Sequence, residues 1–171
     1  MTGGASLTEL DDARLEQLRT AAAAVRSVFA AAACSVAILD EPGERLEFVA
    51  ADGAGAEAIV GTALPVSRGI VGWVAMSGQP IAVAEVESDA RFARDVAEST
   101  DYVPSVILAA PLPGTGDDVL GVMELLDPAR GDGEAVLGAL RGSAAELAVL
   151  TTVAGIVASV LGTGLAPDAH R

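Results

Sequence analysis

A chain of 171 residues carrying 24 acidic against 10 basic side chains, with net charge −14 and a pI near 4.2, has room for one domain with a substantial core. Every basic residue is arginine and no basic cluster occurs, so the surface repels phosphate backbones and argues against nucleic acid as a partner. Hydrophobic residues make up 51% and aromatic residues only 3%, which leaves Ala, Val, Leu and Ile to build the core, and one cysteine (Cys34) and one histidine (His170) leave no disulfide, thiolate zinc site or Cys/His catalytic pair within a chain.

The opening residues MTGGASLTELDD hold neither a basic stretch nor an apolar run of the kind that directs secretion, so a cytoplasmic home is expected, with residues 1–6 flexible. Ser6 and Glu9 have capping-box spacing, and Leu10, Leu15, Leu18, Ala22, Val25 and Phe29 follow at helical intervals. A helix over about residues 7–32 is predicted, with Asp11, Asp12, Arg14, Glu16 and Arg19 on its solvated face. Cys34 then sits in the apolar run AACSVAIL, where a thiol behaves as a small buried hydrophobe. The segments SVAILD and RLEFVAADG, joined by EPGE, predict a hairpin, and the Gly/Ala-rich residues 52–61 predict a loop with a short strand near Ala58–Val60.

From Ser67 to Phe92 the alternation stops. Gly69–Met76 predicts a short helix with Ile70, Trp73 and Val74 on one face, ended by Ser77-Gly78 and followed by an extended run from Gln79-Pro80. Gly72 beside the chain's single tryptophan predicts a close backbone approach. Ser88 or Asp89 is placed to cap a second short helix running to about Thr100, around which Arg91, Arg94 and Tyr102 gather. After Pro104, SVILAAPL and VLGVMELLD, joined by PGTGDD, predict another hairpin. Glu124 in its second strand shares a face with Leu120, Val122 and Leu126, and a carboxylate on an apolar face is costly unless it meets solvent, an arginine, a backbone donor or a ligand.

The last segment predicts a helix over about residues 132–165, with no charge from Leu147 to Leu165. That length qualifies as a membrane-span candidate, but Thr151, Thr152, Gly155, Ser159, Gly162, Thr163 and Gly164 dilute it. A helix buried both by its own domain and by a partner is the expectation, which makes Leu147, Leu150, Ala154, Val157, Ala158 and Leu161 candidates for a homodimer interface. Residues 164–171 are expected to be a flexible tail.

The order of these elements, with GIVGWVAMSGQP, DARF, APL and GVME at their places along residues 7–161, resembles the GAF domain. The resemblance implies an α+β fold of the GAF/PAS kind: an antiparallel sheet of five or six strands, terminal helices on one face, and short helices roofing a small pocket on the other. It implies a sensory or regulatory role through a small ligand, with Trp73, Asp89, Arg91, Phe92, Arg94, Tyr102, Ser105 and Glu124 as candidate contacts and Arg91 or Arg94 available to neutralise an anion. In cyclic-nucleotide-binding members an Asn-Lys pair follows the strand glutamate, whereas here Asp127-Pro128 stands there and no Phe follows, which leaves cyclic nucleotide a doubtful ligand. Bilin and heme are disfavoured as cofactors, because RFARDVAEST has no cysteine and His170 lies in the tail.

Free methionine sulfoxide reductases of the family work through several cysteines, and one buried Cys34 does not supply that chemistry. Glu124 and Asp127 fall on opposite faces of a strand and do not flank one bond, and with no nucleophile–base pair or metal cluster in view a non-enzyme is expected. The other reading is a module without a ligand, acting only through its dimer or partner surface.

Overall fold

Strands β1 (Ala33–Leu39), β2 (Arg45–Gly53), β3 (Ala63–Pro65), β4 (Ile81–Ala84), β5 (Val106–Pro113) and β6 (Val119–Leu126) form one antiparallel sheet in the order β3-β2-β1-β6-β5-β4. They are seen in a computed structural model that describes residues 10–128 and 144–162. Both predicted hairpins form, and β1 and β6 are the central pair.

Helix α1 (Asp12–Val28) begins where Asp11 caps it by accepting a hydrogen bond from the Arg14 backbone N–H at 2.8 Å. The Ser6–Glu9 capping box lies outside the described residues. The helix ends before residue 32 because Ala30 takes a positive φ of 47° and turns the chain into β1. Helix α5 (Ala144–Gly162) is the C-terminal helix, and its predicted earlier start and the expected flexible tail fall outside the described residues. Leu18, Ala22, Val25 and Phe29 of α1 join Leu150, Ala154, Val157, Ala158 and Leu161 of α5 over Val36, Ile38, Leu108, Leu112, Met123 and Leu125 of the sheet.

That packing corrects the dimer-interface expectation. Leu150, Ala154, Val157, Ala158 and Leu161 are buried in the chain's own core, and Leu147 packs against its edge. The outward face carries Val149 and Ile156 instead, the latter 65% exposed. Helical periodicity allowed two apolar stripes on α5, and the sheet took the one with the small residues that let it approach closely. α5 is long and apolar enough to cross a membrane, with mean hydropathy 2.0, by length and composition alone.

The other face carries short pieces: α2 (Ala56–Ile59), α3 (Gly69–Ser77), a single 3₁₀ turn at Val86–Ser88, and α4 (Arg94–Ser99). α2 replaces the short strand expected at Ala58–Val60, since Gly55 at φ 71° redirects the chain and Ala-Glu-Ala-Ile favours helix. α3 ends as expected at Gly78 in the left-handed region, whose N–H bonds the Val74 carbonyl at 2.9 Å. Gly72 is a close approach, though its neighbour is backbone rather than the indole: a Cβ there would lie 2.3 Å from the Val66 carbonyl oxygen. The helix expected from residue 88 starts only at Arg94, because the Asp89 carboxylate accepts the Arg91 N–H at 2.9 Å and holds residues 89–92 in a turn.

Two register shifts decide which side chains reach this second face. In β2 the shift opposite Val36/Ala37 leaves Val49 unopposed, so Phe48 and Ala51 both point to the roof although they differ in parity. In β6 the shift at Leu112/Pro113 leaves Leu120 unopposed, and Leu120 packs against the α1/α5 core rather than sharing Glu124's face as alternation predicts.

Candidate functional site

Between the sheet and the short helices lies a cavity of about 80 Å³. At the roughly 30 Å³ that a water occupies in the liquid, it would hold two or three waters. Its floor is a cross-strand row: Ala51 on β2 opposite Ser35 on β1, and Ser35 opposite Glu124 on β6. Phe48, Ile107 and Leu126 flank the row. The roof comes from the first residues of α3 (Gly69, Ile70, Val71), from Phe92 and Ala93, from Val96 and Ala97 of α4, and from Thr100, Tyr102 and Pro104, with Ile59 of α2 closing one side.

Glu124 is the anomaly in this lining. Its side chain is half-buried, lines the cavity together with mostly Ala, Ile, Leu and Phe residues, and forms no hydrogen bond or ion pair among the described residues. Desolvation by those neighbours pushes its pKa up to about 7, so the proton is held at pH values where an exposed glutamate has lost it. Ser35, 8% exposed, is the hydroxyl facing it across the β1/β6 ladder. At the register of directly opposed residues the two side chains stand about 5 Å apart at Cβ.

The other hydroxyls of the lining already have acceptors. Tyr102 donates its phenolic proton to Asp127 Oδ2, while Asp127 Oδ1 accepts the backbone N–H groups of Ser105 at 2.9 Å and Val106 at 2.8 Å. Asp127, at φ 46°, thereby fastens the end of the roof to the start of β5. Thr100 donates to the Ala97 carbonyl at 2.8 Å.

Of the residues expected to contact a ligand, Phe92, Tyr102 and Glu124 line the cavity. Trp73 and Arg91 line a separate outer groove together with Phe92, Arg68 and Met76. There the Arg91 guanidinium lies 5.0 Å above the Trp73 ring and grips Asp89 through two N–H groups at 2.9 and 2.6 Å. The bidentate pair lowers the Asp89 pKa to about 2. Arg94 is exposed and bonded to Glu87 at 3.0 Å, with Glu98 at 3.9 Å, and Ser105 is exposed outside the cavity. The arginines expected to neutralise an anion therefore supply no charge to the cavity.

Cys34 has its thiol pushed up to about 12 by burial on the α1/α5 side, with Glu124 and Asp52 adding to the rise, which makes it inert at neutral pH. No group of three His, Cys, Asp or Glu side chains able to hold a metal occurs among the described residues. Sequence reasoning missed Ser35 and the fastening role of Asp127. A lone hydroxyl inside AACSVAIL was the available signal for Ser35, and no local pattern announces that Asp127 reaches back across a strand pair.

The GAF domain model matches residues 13–161. Among solved structures, the chain is similar to the GAF domain of an Acinetobacter phosphoenolpyruvate-protein phosphotransferase, with TM-score 0.69 and 21% identity over 88% of this chain and 83% of that one. It is similar to the second GAF domain of DevS from Mycobacterium smegmatis, with TM-score 0.65 and 21% identity over 90% and 95% of the two chains. It also matches free methionine-R-sulfoxide reductase from Neisseria meningitidis, with TM-score 0.64 and 16% identity over 89% and 81%. At these identities the likenesses speak for the fold, and one fold here carries both a GAF domain of a phosphotransferase and a free-standing reductase. With the six-stranded sheet, the two-helix backing and the roofed cavity all in place, the chain belongs to the GAF domain family.

Proposed function

We propose that this GAF domain is a sensory or regulatory module that binds a small ligand between the sheet and the α3/α4 roof and acts as a homodimer in the cytoplasm. One observation carries the ligand reading: an unpaired carboxyl, Glu124, at the floor of an otherwise apolar cavity. Folding gains nothing from it, since an apolar side chain of similar volume would remove the desolvation penalty. Groups held at such a cost concentrate where a ligand compensates them. Among the described lining residues no nucleophile is hydrogen-bonded to a base, which favours binding over turnover.

The cavity is small, and this favours a second reading, a filled module that works only through its surfaces. Thermal-shift measurements across a library of amines, amino acids, organic acids and nucleotides separate the two. A ligand for this site raises the melting temperature of the wild type and fails to do so once Ala97→Phe fills the roof. If no compound in the library shifts the melting temperature, the sensor reading is abandoned for the surface-only one.

A further inference from the structure

The cavity's polar inventory points in one electrical direction. Among its described lining residues there is no Arg, Lys or His, and the ionisable side chains are Cys34, Tyr102 and Glu124. The thiol is held protonated and sits on the opposite core, and the phenolic O–H donates its hydrogen bond to Asp127. The Thr100 O–H donates to the Ala97 carbonyl. What remains to meet a ligand is the Glu124 carboxyl and the Ser35 oxygen, neighbours across the β1/β6 ladder. Both accept hydrogen bonds, and most of the remaining lining is hydrocarbon.

From this geometry we infer that the ligand is a small amphiphile bearing a cationic nitrogen, a primary amine seated on Glu124 and Ser35 with its apolar body against Phe48, Ile70, Ile107 and Phe92. The inference rests on the ligand-binding reading above and narrows its chemistry. An ammonium group offers three donors to the two acceptors and compensates the carboxylate at the cavity floor. An anion in the same place would face that carboxylate at close range in a site of low dielectric, or force it to stay protonated. The chain's net charge of −14 works the same way from a distance, raising the local concentration of cations and lowering that of anions. A cavity of about 80 Å³ suits a short aliphatic amine better than a nucleotide.

The test is a matched series, propylamine, propanol and propionate, titrated into the whole chain at about pH 8 and followed by calorimetry and melting temperature. The amine is expected to bind at least about tenfold more tightly than the alcohol, with the acid producing no shift. Glu124→Gln, which keeps shape and removes charge, is expected to reduce amine affinity at least about tenfold, and Ser35→Ala to reduce it several-fold. Preference for propionate, or amine binding unchanged in Glu124→Gln, overturns the inference. Silence from all three compounds, with another member of the wider library stabilising the wild type but not the Ala97→Phe variant, overturns the amine assignment and leaves the ligand-binding reading standing. Silence from the whole library overturns both.

Discussion

The two faces of the sheet are built from different lengths of helix, and they are filled to different degrees. On one side α1 and α5 lay continuous apolar stripes over β1, β2, β5 and β6, and Leu18, Ala22, Leu108, Leu125, Leu150 and Ala154 lose all solvent contact. On the other, α2, α3, α4 and a single 3₁₀ turn supply at most nine residues each. Left-handed Gly55 and Gly78 and the Asp89 turn punctuate them. Short elements change direction too often to tile a sheet, so they leave a cavity, and the floor under it can carry Glu124 and Ser35. The closed face is where stability accumulates, and the open face is where a polar group is tolerated.

The largest loss of stability is expected on the closed face. Leu150→Ala should lower unfolding free energy by about 3 kcal/mol, read as a fall in urea midpoint at unchanged slope, because a fully buried leucine leaves a hole that a two-helix layer cannot collapse around. A loss below about 1 kcal/mol would mean that α5 is held less firmly than this packing implies.

On the open face the sign reverses. Glu124→Gln should stabilise the unliganded protein by about 1–3 kcal/mol at pH 8, since the wild type there buries an uncompensated charge. Burial raises the folded-state pKa of Glu124 from 4.5 to about 7. Between those values the folded chain binds more protons than the unfolded one. Wild-type stability therefore falls as pH rises through that window and is lowest above it. Glutamine does not titrate, so denaturation curves should show the gain shrinking to a few tenths of a kcal/mol near pH 4. A gain independent of pH would place its origin in packing and not in charge.

The smallest effect on stability is expected from the outer stripe of α5. Ile156→Glu, at a side chain 65% exposed, should change unfolding free energy by no more than about 0.5 kcal/mol. If the homodimer forms through that stripe, the same variant should convert it to monomer in sedimentation. A wild type that sediments as a monomer at micromolar concentration removes the dimer from the proposal.

Much of the fold was legible in the residues. Short apolar runs around the turns EPGE and PGTGDD announced both hairpins, with alternation only in RLEFVAADG, and Ser77-Gly78 announced the end of α3. These are short-range signals, each carried by the residues that form the element. The candidate site was legible in part: Phe92, Tyr102 and Glu124 reach the cavity, whereas Arg91, Arg94 and Ser105 do not. The arginines misled because their partners, Asp89, Glu87 and Glu98, lie within a few residues and satisfy them locally before any ligand is involved.

Sequence alone was enough for the longer helices, both hairpins, the family they resemble and one carboxylate on an apolar strand face, but not for α2 and β3, whose few residues carry too short a pattern. Only the tertiary structure decided which face each side chain joined. A single unopposed residue, Val49 in β2 or Leu120 in β6, inverts the alternation beyond it, and that depends on the partner strand rather than on the residue itself. The same holds for α5, whose two apolar stripes are equivalent in periodicity until the sheet covers one of them. Glu124 and Ser35 became one site for this reason too: they lie far apart in the chain and opposite each other in the register of β1 and β6.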